Sequence, residues 1–278
     1  DTTNLFALDC GGNLILTNGG GMAVYAARTN SQTLSYGASI RVKGDMWIGP
    51  SSTVYACSQP TNGGSVFWHP GRLILAETNS LITADACGFA GGSSTVRRKG
   101  FGTGGGAEKC GGSYGGRGGT NVGSAAWQTY GDSNAPALPG SGGGWGNSYD
   151  APGASGGGLI WVMADNTITV NGTLSANGGT IPSWYYFPGA GSGGGIYLNC
   201  WRFEGGTNGL LCANGGNDDP TNIGAAGGGG RVAIATRFAF TAVTFQVTAN
   251  AGVGDYPGEN GSVVWVWLQP PGTVMTVH

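Results

Sequence analysis

Few residues in this chain have the type and spacing to do chemistry. The densest polar group is the stretch NGGNDDPTN, which gathers Asn217, Asp218, Asp219 and Asn222 in a Gly-rich turn. Side-chain oxygens crowded in that way are the ligand chemistry of Ca²⁺, and a solvated Asx-rich turn is the simpler reading of the same residues. His69, in FWHPG, stands between two strand-like runs with no partner motif and reads as a structural or surface histidine. Strings of the GxGxxG kind abound, but with 59 Gly in 278 residues they carry no information, and none joins a strand to a helix as a dinucleotide site requires. Trp145 and Tyr149 in GGWGNSY, and Trp184, Tyr185 and Tyr186 in SWYYFPG, could stack on sugar rings. They could equally plug a Gly-rich layer.

The six cysteines, Cys10, Cys57, Cys87, Cys110, Cys200 and Cys212, form no CxxC pair, which argues against a zinc site. Their even number, in a chain poor in charge, fits an oxidising compartment outside the cell, where most would be disulfide-bonded. Cys200 and Cys212 fall in neighbouring strand-like runs and are the pair expected first. The chain opens on Asp rather than Met, as a processed, mature chain would. No apolar run is long enough for a membrane-spanning helix. A net charge of −2 gives nothing to draw nucleic acid. The basic run VRRKG from Val96 reads as a solvated loop.

The elements that must position these residues announce themselves by repetition. TLSANGG, LLCANGG and QVTANAG place Asn177, Asn214 and Asn250 at spacings of 37 and 36 residues. Each copy follows a block of one kind: GGGLIWVMA, GGGIYLNC or GGGRVAIA. A fixed period of this length marks a repeat architecture. Helix signals are almost absent, because Gly or Pro interrupts nearly every window. Weaker copies upstream put Asn18, Cys57 and Asp85 in the same slot.

The reading is therefore all-β: one parallel β-solenoid domain over 1–278, with a glycine-rich insertion at about 93–155. Asn177, Asn214 and Asn250 should stack at one corner, as asparagine ladders do in cross-β packing. The alternative is an antiparallel β-sandwich in which each Asn-Gly is a hairpin turn. The glycine-rich stretches are expected to form an ordered layer along one side, since backbones without Cβ atoms can lie side by side. With 28 aromatic residues (9 Trp, 10 Tyr, 9 Phe) the chain is too rich in ring systems to read as disordered.

The combination of GGSYGGRGG, YGDSNAPALPGSGGG, GGGLIWVMADNTITVNGTLSANGG and GAAGGGGRVAIA resembles a group of glycine-rich repeat proteins. These are large secreted or surface-anchored bacterial proteins, with similar stretches in plant cell-surface proteins. The resemblance spans roughly Gly100 to Ala235. It implies an extracellular β-helical repeat region and transfers no catalytic residue.

The function expected first is a secreted structural protein, not an enzyme, that self-assembles head to tail into a filament or surface layer. Solenoid ends need capping, and neither end shows a cap. Val263, Trp265 and Trp267 alternate with Val264, Val266 and Leu268, so the last strand is apolar on both faces. Leu5, Phe6 and Leu8 at the other end could pair with it. The alternatives are an adhesin or glycan-binding module that uses surface glycans through the glycine-rich and aromatic loops, and a polysaccharide-cleaving β-helix enzyme. No cofactor beyond Ca²⁺ is suggested.

Overall fold

The computed structural model describes residues 6–29, 36–121, 127–146, 151–182, 187–218, 224–238 and 245–269. Within them the chain is all-β and winds as a parallel β-solenoid of about seven rungs. The first rung holds β1 (Phe6–Cys10), β2 (Leu14–Leu16) and β3 (Gly21–Tyr25). The second holds β4 (Ala38–Ile48) and β5 (Thr53–Cys57), and the third β6 (Val66–Leu75) and β7 (Leu81–Thr83). Then come β8 (Leu159–Met163), β9 (Thr167–Val170) and β10 (Thr173–Ser175), and after them β11 (Gly195–Cys200), β12 (Arg202–Gly205) and β13 (Leu210–Cys212). β14 (Arg231–Thr236), β15 (Gln246–Thr248) and β16 (Ser262–Trp267) finish the stack.

Every strand pairing is parallel and joins one rung to the next. One sheet runs β1-β4-β6-β8-β11-β14-β16, and the other runs β15-β13-β10-β7-β5-β3. That excludes the sandwich, whose hairpins would pair antiparallel. β4 and β6 each span two sides of the rung. β4 meets β1 with its first half and β2 with its second, and its own pairing with β6 shifts register between Val42 and Asp45.

The alternation of the sequence sets which side chains face inward. In register, Ile40, Trp68, Val162, Leu198 and Ile234 form one inward column, with Val66, Ile160, Ile196 and Val232 beside it. All are at most 1% exposed. Burial of a side chain of this size contributes about 1.5–3 kcal/mol, and one rung alone could not supply it. At the far corner the inward column is Ala56, Ala84, Ala176, Ala213 and Ala249.

That alanine column explains the repeated GGG. The N–H groups of Gly158, Gly194, Gly230 and Gly261 donate to the carbonyls of Ala84, Ala176, Ala213 and Ala249, each at 2.7 Å, and so close the rung. The approach is too near for a side chain. A Cβ on Gly194 would sit 2.0 Å from the Gly158 carbonyl oxygen.

Between β7 and β8 the described residues form no strand. The glycine-rich segments there lie side by side, and their bonds repeat every third residue. Gly140, Gly143 and Gly146 donate to Gly157, Ala154 and Ala151. Gly142 and Trp145 donate to Phe101 and Arg98. On the acceptor side, the carbonyls of Gly140 and Gly143 take Phe89 and Gly92, and those of Ser141 and Gly144 take Ser192 and Gly189. Three residues per turn, with bonds leaving in several lateral directions, is the geometry of a polyproline II helix. Such a helix makes no internal bonds, so its polar groups must pair with neighbours. The expected glycine-rich layer is thus a bundle of these extended helices.

Candidate functional site

Six positions fall in one column beside the alanines: Tyr25, Cys57, Asp85, Asn177, Asn214 and Asn250. The three asparagines occupy equivalent corners, and the bond they make is side chain to backbone. The oxygen of Asn177 accepts the N–H of Asn214, and the oxygen of Asn214 accepts the N–H of Asn250, both at 2.8 Å. Asp85 begins the series. Its Oδ1 accepts the Asn177 N–H at 2.5 Å and the Ser175 hydroxyl. Asn18 is not in this column. It stands at the corner between β2 and β3 with φ of 55°, followed by Gly19 at 76°. The same Asn-Gly letters serve a left-handed turn there.

A second, shorter ladder runs alongside. Asn217 donates its N–H to Thr180 Oγ1 at 3.4 Å, and its Oδ1 accepts the N–H of Val253 at 3.0 Å. Two of the four residues expected to gather around Ca²⁺ are described. Asn217 commits its carbonyl to the next rung, and Asp218 is buried at 3% exposure. Asp219 and Asn222 lie outside the described residues. Among the described residues no three His, Cys, Asp or Glu side chains come together as a metal site.

The two ends of the stack are open among the described residues. Phe6 and Leu8 align with the buried Ala38 and Ile40, yet they are 51% and 36% exposed. Val263, Trp265 and Trp267 align with Val232, Ile234 and Thr236, yet they are 41%, 43% and 53% exposed. These side chains continue the inward columns, and among the described residues no further strand covers them. Trp265 rests on Phe245, ring centroids 5.7 Å apart. Val264, Val266 and Leu268 are half-buried. Leu5 lies outside the described residues.

The expected Cys200–Cys212 disulfide is not formed. Cys200 ends β11 in one sheet and Cys212 ends β13 in the other, and all six thiols are free. Adjacency of strands in sequence misled here, because the chain turns a corner between them. The cysteines brought together are Cys57 and Cys87, with sulfurs 2.8 Å apart.

Trp145 does not face a ligand. It is buried to 8% exposure, with the Arg98 guanidinium 5.0 Å above its ring. Tyr149, Trp184, Tyr185 and Tyr186 lie outside the described residues. The basic run is no free loop either: Arg97 covers Phe101 and Lys99 covers Trp127. These cation–π contacts pin it onto the glycine-rich bundle.

No family model, curated protein or solved structure matches the chain.

Sequence reasoning also passed over one surface. On the outer face of the first sheet Phe67, Trp161 and Tyr197 stand in register on successive rungs. Tyr36 stacks on Phe67 at 5.2 Å, and Phe67 meets Trp161 at 4.9 Å. Beside them a cavity of about 270 Å³ is lined by His69, Asp165, Asn199, Trp201 and Arg237 among others. His69 Nε2 lies 2.9 Å from Asp165 Oδ1. The signal was present in the sequence, as aromatics at matching positions of VFWHP, LIWVM and IYLNC.

Proposed function

We propose that this protein is a structural subunit, exported from the cell, that assembles head to tail into a filament or surface layer. The observation that carries the reading is the pair of open ends. Among the described residues each presents core-facing apolar side chains and a strand that no other strand pairs on its outer edge, a combination that invites pairing with another chain. Both edges run in the same parallel sense, so β1 of one copy can extend the sheet past β16 of another. A contact between unlike ends does not close on itself and propagates. The ladder supports the same direction of growth. The Asn250 carbonyl takes the Gly215 N–H, but among the described residues its exposed side chain accepts nothing, and Tyr25 holds the matching position on the first rung.

Electron microscopy of the purified protein tests this. Uniform filaments are expected, and Trp265→Lys should abolish them while the circular dichroism of the β-fold persists. Monomers at high concentration, or normal filaments from the variant, would count against the reading.

A second reading, glycan binding at a surface, is favoured by the aromatic strip of Phe67, Trp161 and Tyr197 beside the His69–Arg237 cavity. Aromatic faces with a few convergent polar groups are the usual lining of a small-ligand site. Titration with soluble cell-wall polysaccharides, followed by Trp fluorescence and repeated with Trp161→Ala, decides that reading.

A further inference from the structure

Two of the six thiols stand apart from the rest. Cys57 is the last residue of β5, on the second rung, and Cys87 follows β7 on the third. Between Ala84 and Cys87 the chain makes a tight turn, closed by the Cys87 N–H on the Ala84 carbonyl at 3.1 Å. Ala86 sits in that turn with φ of 51°, a left-handed conformation that costs energy for a residue with a Cβ. It is held there by its N–H bond to the Asn177 carbonyl, at 2.9 Å. The turn folds Cys87 back over Cys57, and the Ser58 N–H locks the approach by donating to the Cys87 carbonyl at 2.9 Å. The result is an Sγ–Sγ distance of 2.8 Å, closer than unbonded sulfurs rest.

The other four thiols have different surroundings. Cys110, Cys200 and Cys212 are buried, and the last of these receives the Asn177 side-chain amide. Cys10 is turned to the Asn13 carbonyl. Burial raises the Cys200 thiol to about 12 and also raises Cys212, which keeps both protonated and inert.

We infer that Cys57 and Cys87 are a built oxidation site, and that in an oxidising compartment they close a disulfide stapling the second rung to the third. The chemistry needs a two-electron oxidant, for which a small-molecule disulfide such as oxidised glutathione suffices. The Cys57 thiolate attacks one sulfur of the oxidant and expels one glutathione thiolate, leaving a mixed disulfide. The Cys87 thiol loses its proton to solvent and its sulfur attacks Cys57 Sγ, expelling the second glutathione thiolate. Two protein thiols are oxidised and one glutathione disulfide is reduced to two thiols. Cys57 is suited to the first step. The hydrogen bond from the Cys87 S–H holds the Cys57 thiol below its ordinary value, and the same bond holds Cys87 above its own. The inference stands whether or not the ends of the solenoid polymerise.

The test is a thiol count. Protein incubated with oxidised glutathione is denatured and alkylated with iodoacetamide without reductant, then weighed intact and mapped by peptides. Four of the six cysteines should take the label, with one linked pair of peptides joining Cys57 to Cys87. Six labels, or a linked pair between any other cysteines, would overturn the assignment. In Cys87→Ser no linked pair of peptides is expected, and Cys57 should carry either the label or one glutathione, whereas a linked pair in that variant would place the bridge elsewhere.

Discussion

The side-chain oxygen of Asn177 accepts the backbone N–H of Asn214 at 2.8 Å, so one rung's side chain completes the next rung's backbone. This links the repeat in the sequence to the stacking in space. From Asp85 through Asn177 to Asn214 each rung offers one accepting side chain at this corner, supplied by Asp or Asn.

Asn214→Ala leaves the Asn250 N–H without its acceptor. An unmet backbone donor costs about 1–3 kcal/mol where water is excluded. Its partial access to solvent here puts the expected loss near the lower end. Asn250→Ala, at the open end, should leave the monomer's urea midpoint unchanged. If the ends join, the same substitution should raise the concentration at which filaments form, measured by sedimentation.

The glycine-rich bundle should be intolerant of a single methyl group. In Gly143→Ala the new Cβ would fall 2.0 Å from the Gly189 carbonyl oxygen, backbone that has no room to move. The expected destabilisation is about 3 kcal/mol or more. Gly21→Ala, whose Cβ would meet nothing within 4 Å, should stay within about 0.5 kcal/mol of the parent. Urea unfolding of both variants checks the contrast.

Stability should fall in alkali. The hydroxyl of Tyr130 donates to the Pro139 carbonyl at 2.7 Å and pairs with Ser141 Oγ at 2.8 Å. Burial raises its ionisation, and that of its neighbour Tyr114, well above the ordinary 10.0. A group whose ionisation is raised on folding contributes fully below its unfolded value and loses that contribution as pH climbs above it. Urea midpoints should therefore be level up to about pH 9 and decline beyond about pH 10. Tyr130→Phe should make the decline shallower.

Acid should weaken the second rung. Arg72 holds the Asp45 carboxylate with two bonds, at 2.7 and 2.6 Å. That pairing lowers Asp45 below its ordinary 3.8. Its contribution is present above that value and is lost as pH falls through the lowered one. Both groups meet solvent, so the effect should be small, well under 1 kcal/mol for Asp45. Asp45→Asn should remove this part of the acid dependence, read as the change in urea midpoint between pH 5 and pH 2.5.

The solenoid was legible because whole blocks recur, from GGG through the strands to the asparagine, and the spacing of Asn177, Asn214 and Asn250 fixes the rung. Asn18 shows the limit. TNGG and SANGG look alike, but one answers a left-handed turn and the other a ladder, and only the strand register separates them. The glycine-rich layer was legible in composition and silent about pairing. Gly140 and Gly157 find one another through backbone alone, with no side chain to record the contact. The Cys57–Cys87 approach was hidden for a related reason, since it depends on the conformation of Ala86. The aromatic strip was present in the letters, but it becomes a strip only when Phe67, Trp161 and Tyr197 are put in register.

The stretch from Cys110 to Gly119 has a consequence for how the molecule comes apart. A stack of repeats coupled only to its neighbours can fray from either end, one unit at a time. Here Gly112 donates to the Ala190 carbonyl, Gly119 to that of Ala226 and Gly116 to that of Gly229, while Arg117 accepts from Glu259. One strap thus crosses the connections that follow three successive rungs, and none of those rungs can peel away without breaking it. Unfolding of this half becomes a single cooperative event, with amide protons from β8 to β14 exchanging together at one free energy. The strap trades the graded melting of a simple repeat for an all-or-none transition.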